Sequence, residues 1–191
     1  MTNPLLVPHR LPPFSSIRAE HVVPAVKELI AEAESGLSQQ LASGATPSWA
    51  TLVEPIEARQ DKLNQAWSPV SHLNSVMNAP ELRDAYEEGQ RLLTDYYTGV
   101  GQNRDLYDAY LALSQSAEFS GLDQAQQKTI TDALRDFKLS GVALEGEAKA
   151  RYKAIKSELS RLTTAFSNNV LDATNGWTHH VTDEKALAGL P

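Results

Sequence analysis

Apolar residues recur at intervals of three and four along almost the whole chain, and that spacing restricts the fold to helices. It is plainest toward the C-terminal end, where Tyr152, Ile155, Leu159, Leu162, Phe166 and Val170 follow one another at steps of 3, 4, 3, 4 and 4. Such steps place side chains on one stripe of a helix, here a narrow heptad-like seam. The opposite face carries the i,i+4 pairs Glu145–Lys149 and Glu147–Arg151. The seam is expected to be buried, so truncating Leu159 or Phe166 to Ala is expected to leave a cavity.

Other helices follow upstream. Val26, Ile30, Ala33, Leu37 and Leu41 share one face of a helix whose start is assigned to Pro24, a residue with no N–H to lose at a helix start. "GATP" (44–47) is a break, and Ser48 is placed to cap the next helix, which carries Leu52, Ile56, Leu63, Trp67, Val70 and Leu73. Pro55 and Pro69 predict a kink or split there. Pro80 opens a third helix with Leu82, Tyr86, Leu93, Tyr97 and Val100, and Gly101 and Asn103 mark its turn. A fourth runs from about Arg104 to Ala117, "FSGLD" (119–123) is a break, and a fifth turns Ile130, Leu134 and Phe137 inward. "SGVALEGE" (140–147) is a loop, and the long helix after it ends at Gly176 as a left-handed cap. Only "WTHHVT" (177–182) reads as a strand. The expected fold is all-α, an antiparallel multi-helix array with one long C-terminal helix and a short extended tail. Its parts are a Pro-rich arm (1–17), the helical array (18–176) and the tail (177–191).

Composition narrows the function classes. A net charge of −7 does not suit a nucleic-acid binder, which needs a basic footprint on phosphates. No apolar stretch approaches the ~18 residues of a membrane span. The absence of cysteine rules out disulfides and thiolate chemistry and fits a reducing, cytoplasmic setting.

The candidate chemistry is thin. His179 and His180 stand four residues before Glu184, but neighbours on a strand point to opposite faces, so the pair does not hold one ion. A polar strand with Thr182 or Asp183 capping the next turn is the simpler reading. Tyr86, Tyr96, Tyr97, Tyr107 and Tyr110 crowd one hairpin and read as interhelical packing with hydroxyls at the rim. Lys149, Lys153 and Lys156 form a stripe offset by Glu145, Glu147 and Glu158, a solvated face. Asp132 and Asp136 have no histidine near them, and His21 and His72 read as capping or surface residues. No catalytic, cofactor-binding or metal-binding residue is assigned. On these residues alone, a self-standing helical interaction module is an open reading.

Three stretches carry a resemblance: "LPPFSSIRAEHVVPAV", "AWSPVSHLNSVMNAPELRDAYEEG" and "LDATNGWTHHVTDEKALAGLP". Together they resemble the N-terminal part of the thimet-oligopeptidase-like family of zinc metallopeptidases, which includes neurolysin and peptidyl-dipeptidase. The likeness runs from about Pro4 to Pro191, and "SHLNSVMNAPELRDAYE" is its most specific part. The resemblance implies a helical N-terminal domain of a longer cytoplasmic enzyme that hydrolyses short peptides. It implies zinc held by a His-Glu-x-x-His motif plus a further glutamate, the motif's own glutamate serving as base on a metal-bound water. No His-Glu-x-x-His occurs in this sequence, so no catalytic residue carries over and the chain alone is expected to be inactive. The implied partners are short peptides and a catalytic domain in the same polypeptide. The domain's implied part is a channel wall and selection by size. Pro191 is expected to open a further helix. The tyrosine hairpin and the tail around Trp177 are the expected exposed surfaces.

Overall fold

The computed structural model describes residues 2–189, and Pro191 lies outside them. Among the described residues seven α-helices make up the fold: α1 (Ala19–Ala42), α2 (Glu54–Val76), α3 (Pro80–Gly101), α4 (Arg104–Ser114), α5 (Ala117–Gly121), α6 (Gln124–Leu139) and α7 (Gly146–Gly176). There is no strand among these residues, and "WTHHVT" is extended but unpaired.

Two apolar cores are strung along α1. The first gathers Leu5 and Ile17 from the N-terminal arm with Val22, Val26 and Leu29 of α1, Leu63 and Val70 of α2, and Leu82 and Leu93 of α3. The second gathers Leu37 at the far end of α1 with Leu52 and Val53, Leu106, Tyr110 and Leu113 of α4, and Ile130 and Phe137 of α6. A helix of 24 residues is long enough, at about 36 Å, to serve both. The apolar face of α1 points inward, with Val26, Ala33 and Leu37 buried.

Pro24 lies inside α1, not at its start. The helix begins a turn and a half earlier because Val22 is fully buried and because His21 Nδ1 accepts the Arg18 N–H at 3.0 Å. Pro55 does split its region. A π-helical turn (Trp49–Val53), capped by Ser48 Oγ on the Thr51 N–H at 3.0 Å, precedes α2. Proline has no N–H, so the Thr51 carbonyl loses its i+4 donor, and Gln40 Nε2 of α1 supplies one instead at 2.7 Å. α2 runs on through the buried Pro69 without a break. α4 stops at Ser114, short of Ala117, because Ser116 donates back to the Leu113 carbonyl at 2.8 Å and caps α5. α5 occupies part of the expected break at 119–123.

The left-handed cap belongs to α6. Gly141 has φ +75, its N–H meets the Lys138 carbonyl at 3.1 Å, and Val142 N–H meets the Phe137 carbonyl at 3.0 Å. This is a Schellman closure, with Val142 and Phe137 both in the second core. Gly176 ends α7 but is not left-handed: the chain leaves straight into extended backbone at Trp177 and makes no reversal that would need it.

The largest departure concerns α7. Its apolar seam is not buried: Ile155 is 49% exposed, Leu159 55%, Leu162 49%, Phe166 69% and Val170 49%. The helix docks through the opposite side, where Ser157, Ser160, Thr164 and Asn168 recur at steps of 3, 4 and 4. Periodicity shows that a stripe exists but not which stripe the neighbouring helix can satisfy. Truncating Leu159 or Phe166 leaves no cavity in this chain.

Candidate interaction surfaces

The side of α3 facing α7 is polar, which is why a polar stripe packs on it. The contacts form an antiparallel ladder. Ser157 Oγ donates to Asp95 Oδ1 at 3.5 Å, and the Ser160 and Thr94 hydroxyls meet at 2.8 Å. Asn168 Nδ2 donates to Glu87 Oε1 at 2.8 Å, and Arg83 grips Asp172 with both guanidinium nitrogens at 2.9 and 2.6 Å. Arg83 also donates through Nε to Asn78 Oδ1 at 2.9 Å, so its fork is oriented from both ends. The Arg83 hydrogen bond, then its charge, hold the Asp172 carboxyl below the usual carboxylate range.

The α2–α3 contact shows why one glycine is needed. Trp67 stacks on Tyr86 with ring centroids 5.0 Å apart, and its far edge lies over Gly89. A Cβ on residue 89 would come within 2.6 Å of the indole. The tyrosines are mostly packed within the chain. Tyr110 is buried, and its burial pushes the hydroxyl's pKa well above the ordinary phenol value. Tyr107 lies edge-on to Phe137 at 6.0 Å. Tyr97 reaches the rim, where Gln60 Nε2 donates to its hydroxyl at 2.6 Å. The hairpin is therefore an internal seam with a wet edge, and not the exposed aromatic surface expected of it.

A cleft of about 1100 Å³ opens between α1, α3 and α4, with Lys153 of α7 at its margin. Glu34, Asp95, Asp105 and Asp108 line it with Tyr96. No sequence signal pointed to it, because its carboxylates come from three helices at unrelated spacings. Asp95 is engaged by Arg91 at 3.3 Å and by Ser157, and Asp108 by Arg104 at 3.1 Å. Ile30, Leu37, Leu41, Leu52 and Leu92 supply its apolar walls, and among the described residues no histidine lines it.

The histidines are dispersed in structural contacts. His9 Nε2 lies 2.6 Å from the Pro4 carbonyl, His21 caps α1, and His72 packs on Phe14 at 5.3 Å. His179 stacks on the exposed Trp177 at 6.1 Å, His180 is exposed, and Asp183 Oδ1 caps the Lys185 N–H at 3.0 Å as the tail's sequence suggests. Among the described residues, no three His, Asp or Glu side chains gather closely enough to hold a metal ion. No described helix is long and apolar enough to cross a membrane. Of the basic stripe, Lys149 touches the Gln102 carbonyl at 3.4 Å, and all three lysines are exposed.

Fold and contacts together define an all-helical domain with two apolar cores and a hydrogen-bonded seam between α3 and α7. The family model "Neurolysin/Thimet oligopeptidase, N-terminal domain" matches residues 26–149, and the chain belongs to that family. It is 50% identical over 191 residues to oligopeptidase A of Salmonella typhimurium and, equally, to that of Escherichia coli K12. It is 38% identical over 190 residues to a probable cytosolic oligopeptidase A of Arabidopsis thaliana. Each match takes in 100% of this chain, yet the chain spans only 28%, 28% and 27% of those relatives' lengths.

Proposed function

We propose that this chain is the N-terminal helical domain of a cytoplasmic, zinc-dependent oligopeptidase that hydrolyses short peptides. In it the domain contributes a channel wall and selection of substrates by size, and bond cleavage belongs to a catalytic domain elsewhere in the same polypeptide. One observation carries the reading: half of all residues match oligopeptidase A along the entire chain, while the chain spans little more than a quarter of that protein. A rigid helical wall acts by excluding bulky substrates and water, which needs shape and no reactive group.

The donor set here does not fit zinc. His9 and His21 have a backbone oxygen and a backbone N–H as partners, and the remaining three histidines stand apart from any carboxylate cluster. No step of zinc chemistry is routed through these residues. The 1–191 chain is expected to hydrolyse no quenched fluorescent peptide and to retain no stoichiometric zinc after dialysis. The full-length protein is expected to cleave short peptides, to spare a folded protein carrying the same bond, and to lose activity to a chelator. A 1–191 chain that cleaves, or that holds one zinc lost in a His179→Ala, His180→Ala variant, overturns the reading.

The second reading, a self-standing interaction module, has the uncovered apolar face of α7 in its favour. A reading frame that stops after Pro191 decides for it; one that continues into His-Glu-x-x-His decides for the peptidase.

A further inference from the structure

The outer face of α7 has the composition of an interface. From Leu159 to Ala173 the helix carries two charged residues, Arg161 and Asp172. Both are engaged within the chain, Arg161 with Glu158 at 2.7 Å and Asp172 with Arg83 at 2.6 Å. A helix face that meets water normally carries the charges and packs its apolar stripe inward. Here the polar stripe is inside and Leu159, Leu162, Phe166 and Val170 are outside. With Ile155 they make a strip about 22 Å long. Depletion of charge around large apolar side chains marks the core of a contact surface.

The distribution of exposed apolar residues along the chain indicates the occupant. Of the fifteen large hydrophobic residues left exposed among the described ones, eight lie between Ile155 and Leu187. They continue from the α7 seam through Trp177 and Val181 into the tail, whose described residues are all exposed. The relatives are more than three times as long as this chain. A second copy of the chain fits poorly. Each copy carries −7, and the seam beyond Glu158 lacks the flanking opposite charges that set register in a self-paired coiled coil.

We propose that the outer face of α7, extended by Trp177, is where the following part of the same polypeptide packs on this domain. The helix then sits between two layers, joined to α3 by hydrogen bonds and to the downstream layer by apolar contact. This rests on the reading of the chain as one domain of a longer protein.

The chain has no cysteine, so Leu162→Cys places a reporter at the centre of the strip. Its rate of maleimide labelling is measured in the 1–191 chain and, by peptide mass spectrometry, in the full-length protein, each divided by the rate of the same variant in urea. The expected result is near-unfolded labelling in the 1–191 chain and at least tenfold slower labelling in the full-length protein. Equal rates in the two overturn the proposal. So does protection already present in a 1–191 chain that sediments as a dimer, which makes a second copy the occupant. Peptide hydrolysis by the full-length variant reads the functional proposal separately. An inactive protein whose reporter thiol is protected defeats only the peptidase reading, and an active one whose thiol labels freely defeats only the docking face.

Discussion

At the scale of single residues, three positions take their identity from a neighbour on another helix. Gly89 faces the Trp67 indole, with no room for a Cβ. Gly89→Ala gains helix propensity of up to about 1 kcal/mol but must displace a ring stacked on Tyr86. The expected net result is a loss of about 1–3 kcal/mol in a urea melt; a stabilised variant would show that the ring moves freely. Gln40 donates to the carbonyl that Pro55 leaves without its helical donor. Gln40→Ala is expected to cost about 0.5–1.5 kcal/mol, and restoring the donor with Pro55→Ala should recover much of it, as a double-mutant cycle would show. Asp172 titrates below its ordinary range because Arg83 bonds its charged form. A carboxyl whose folded pKa is depressed stabilises the fold above its unfolded pKa of about 3.9 and loses that contribution as pH falls through the folded value. The stability gap between the native chain and Asp172→Asn is therefore expected to be constant near neutrality and to close below about pH 4. A gap that persists in urea melts well below that pH would mean that the ionised Arg83–Asp172 pair is not its source.

At the scale of elements, α7 is the instructive helix. Its strongest periodic signal faces out, and its weaker polar repeat holds it to α3. Leu159→Ala and Phe166→Ala are expected to change the stability of the 1–191 chain by no more than about 0.5 kcal/mol, as surface changes do. Leu113→Ala, at a fully buried position of α4, is expected to cost about 2–5 kcal/mol. Urea melts of the three variants settle the order; comparable losses would place the α7 seam inside. In α1 and α6 the stripe and the core coincide. Both helices have apolar neighbours on the stripe side, α2 and α3 for the first and α4 for the second.

At the scale of the molecule, two cores share α1 as a common wall. Trp67 packs on the first core and Trp49 on the second, which provides a local probe of each. Variants that keep only one of these two tryptophans are expected to unfold with coincident midpoints. An unbroken helix inserted into both cores makes their loss cooperative. Separated midpoints would mean two independent units. The outward apolar face of α7 belongs to this scale as well, since it has meaning only if something larger than the chain covers it.

The sequence alone determined the helical class, the helix starts at Pro55 and Pro80, the caps at Ser48 and Asp183, and the inward faces of α1, α4 and α6. Each depends on spacing or on a residue's own backbone chemistry, and both are local. Its resemblance pointed to the family to which the chain belongs. Only the tertiary structure decided that Pro24 is interior, that the left-handed glycine is Gly141, that four carboxylates line one recess, and that the α7 seam faces outward. Those outcomes depend on which partner lies opposite. Burial of Val22 outweighed a proline's preference for the first turn, and a polar α3 surface selected Ser157, Ser160 and Asn168 over the leucines behind them. Periodicity fixes where a side chain points around its own axis; the neighbour across the gap decides whether that direction is the inside.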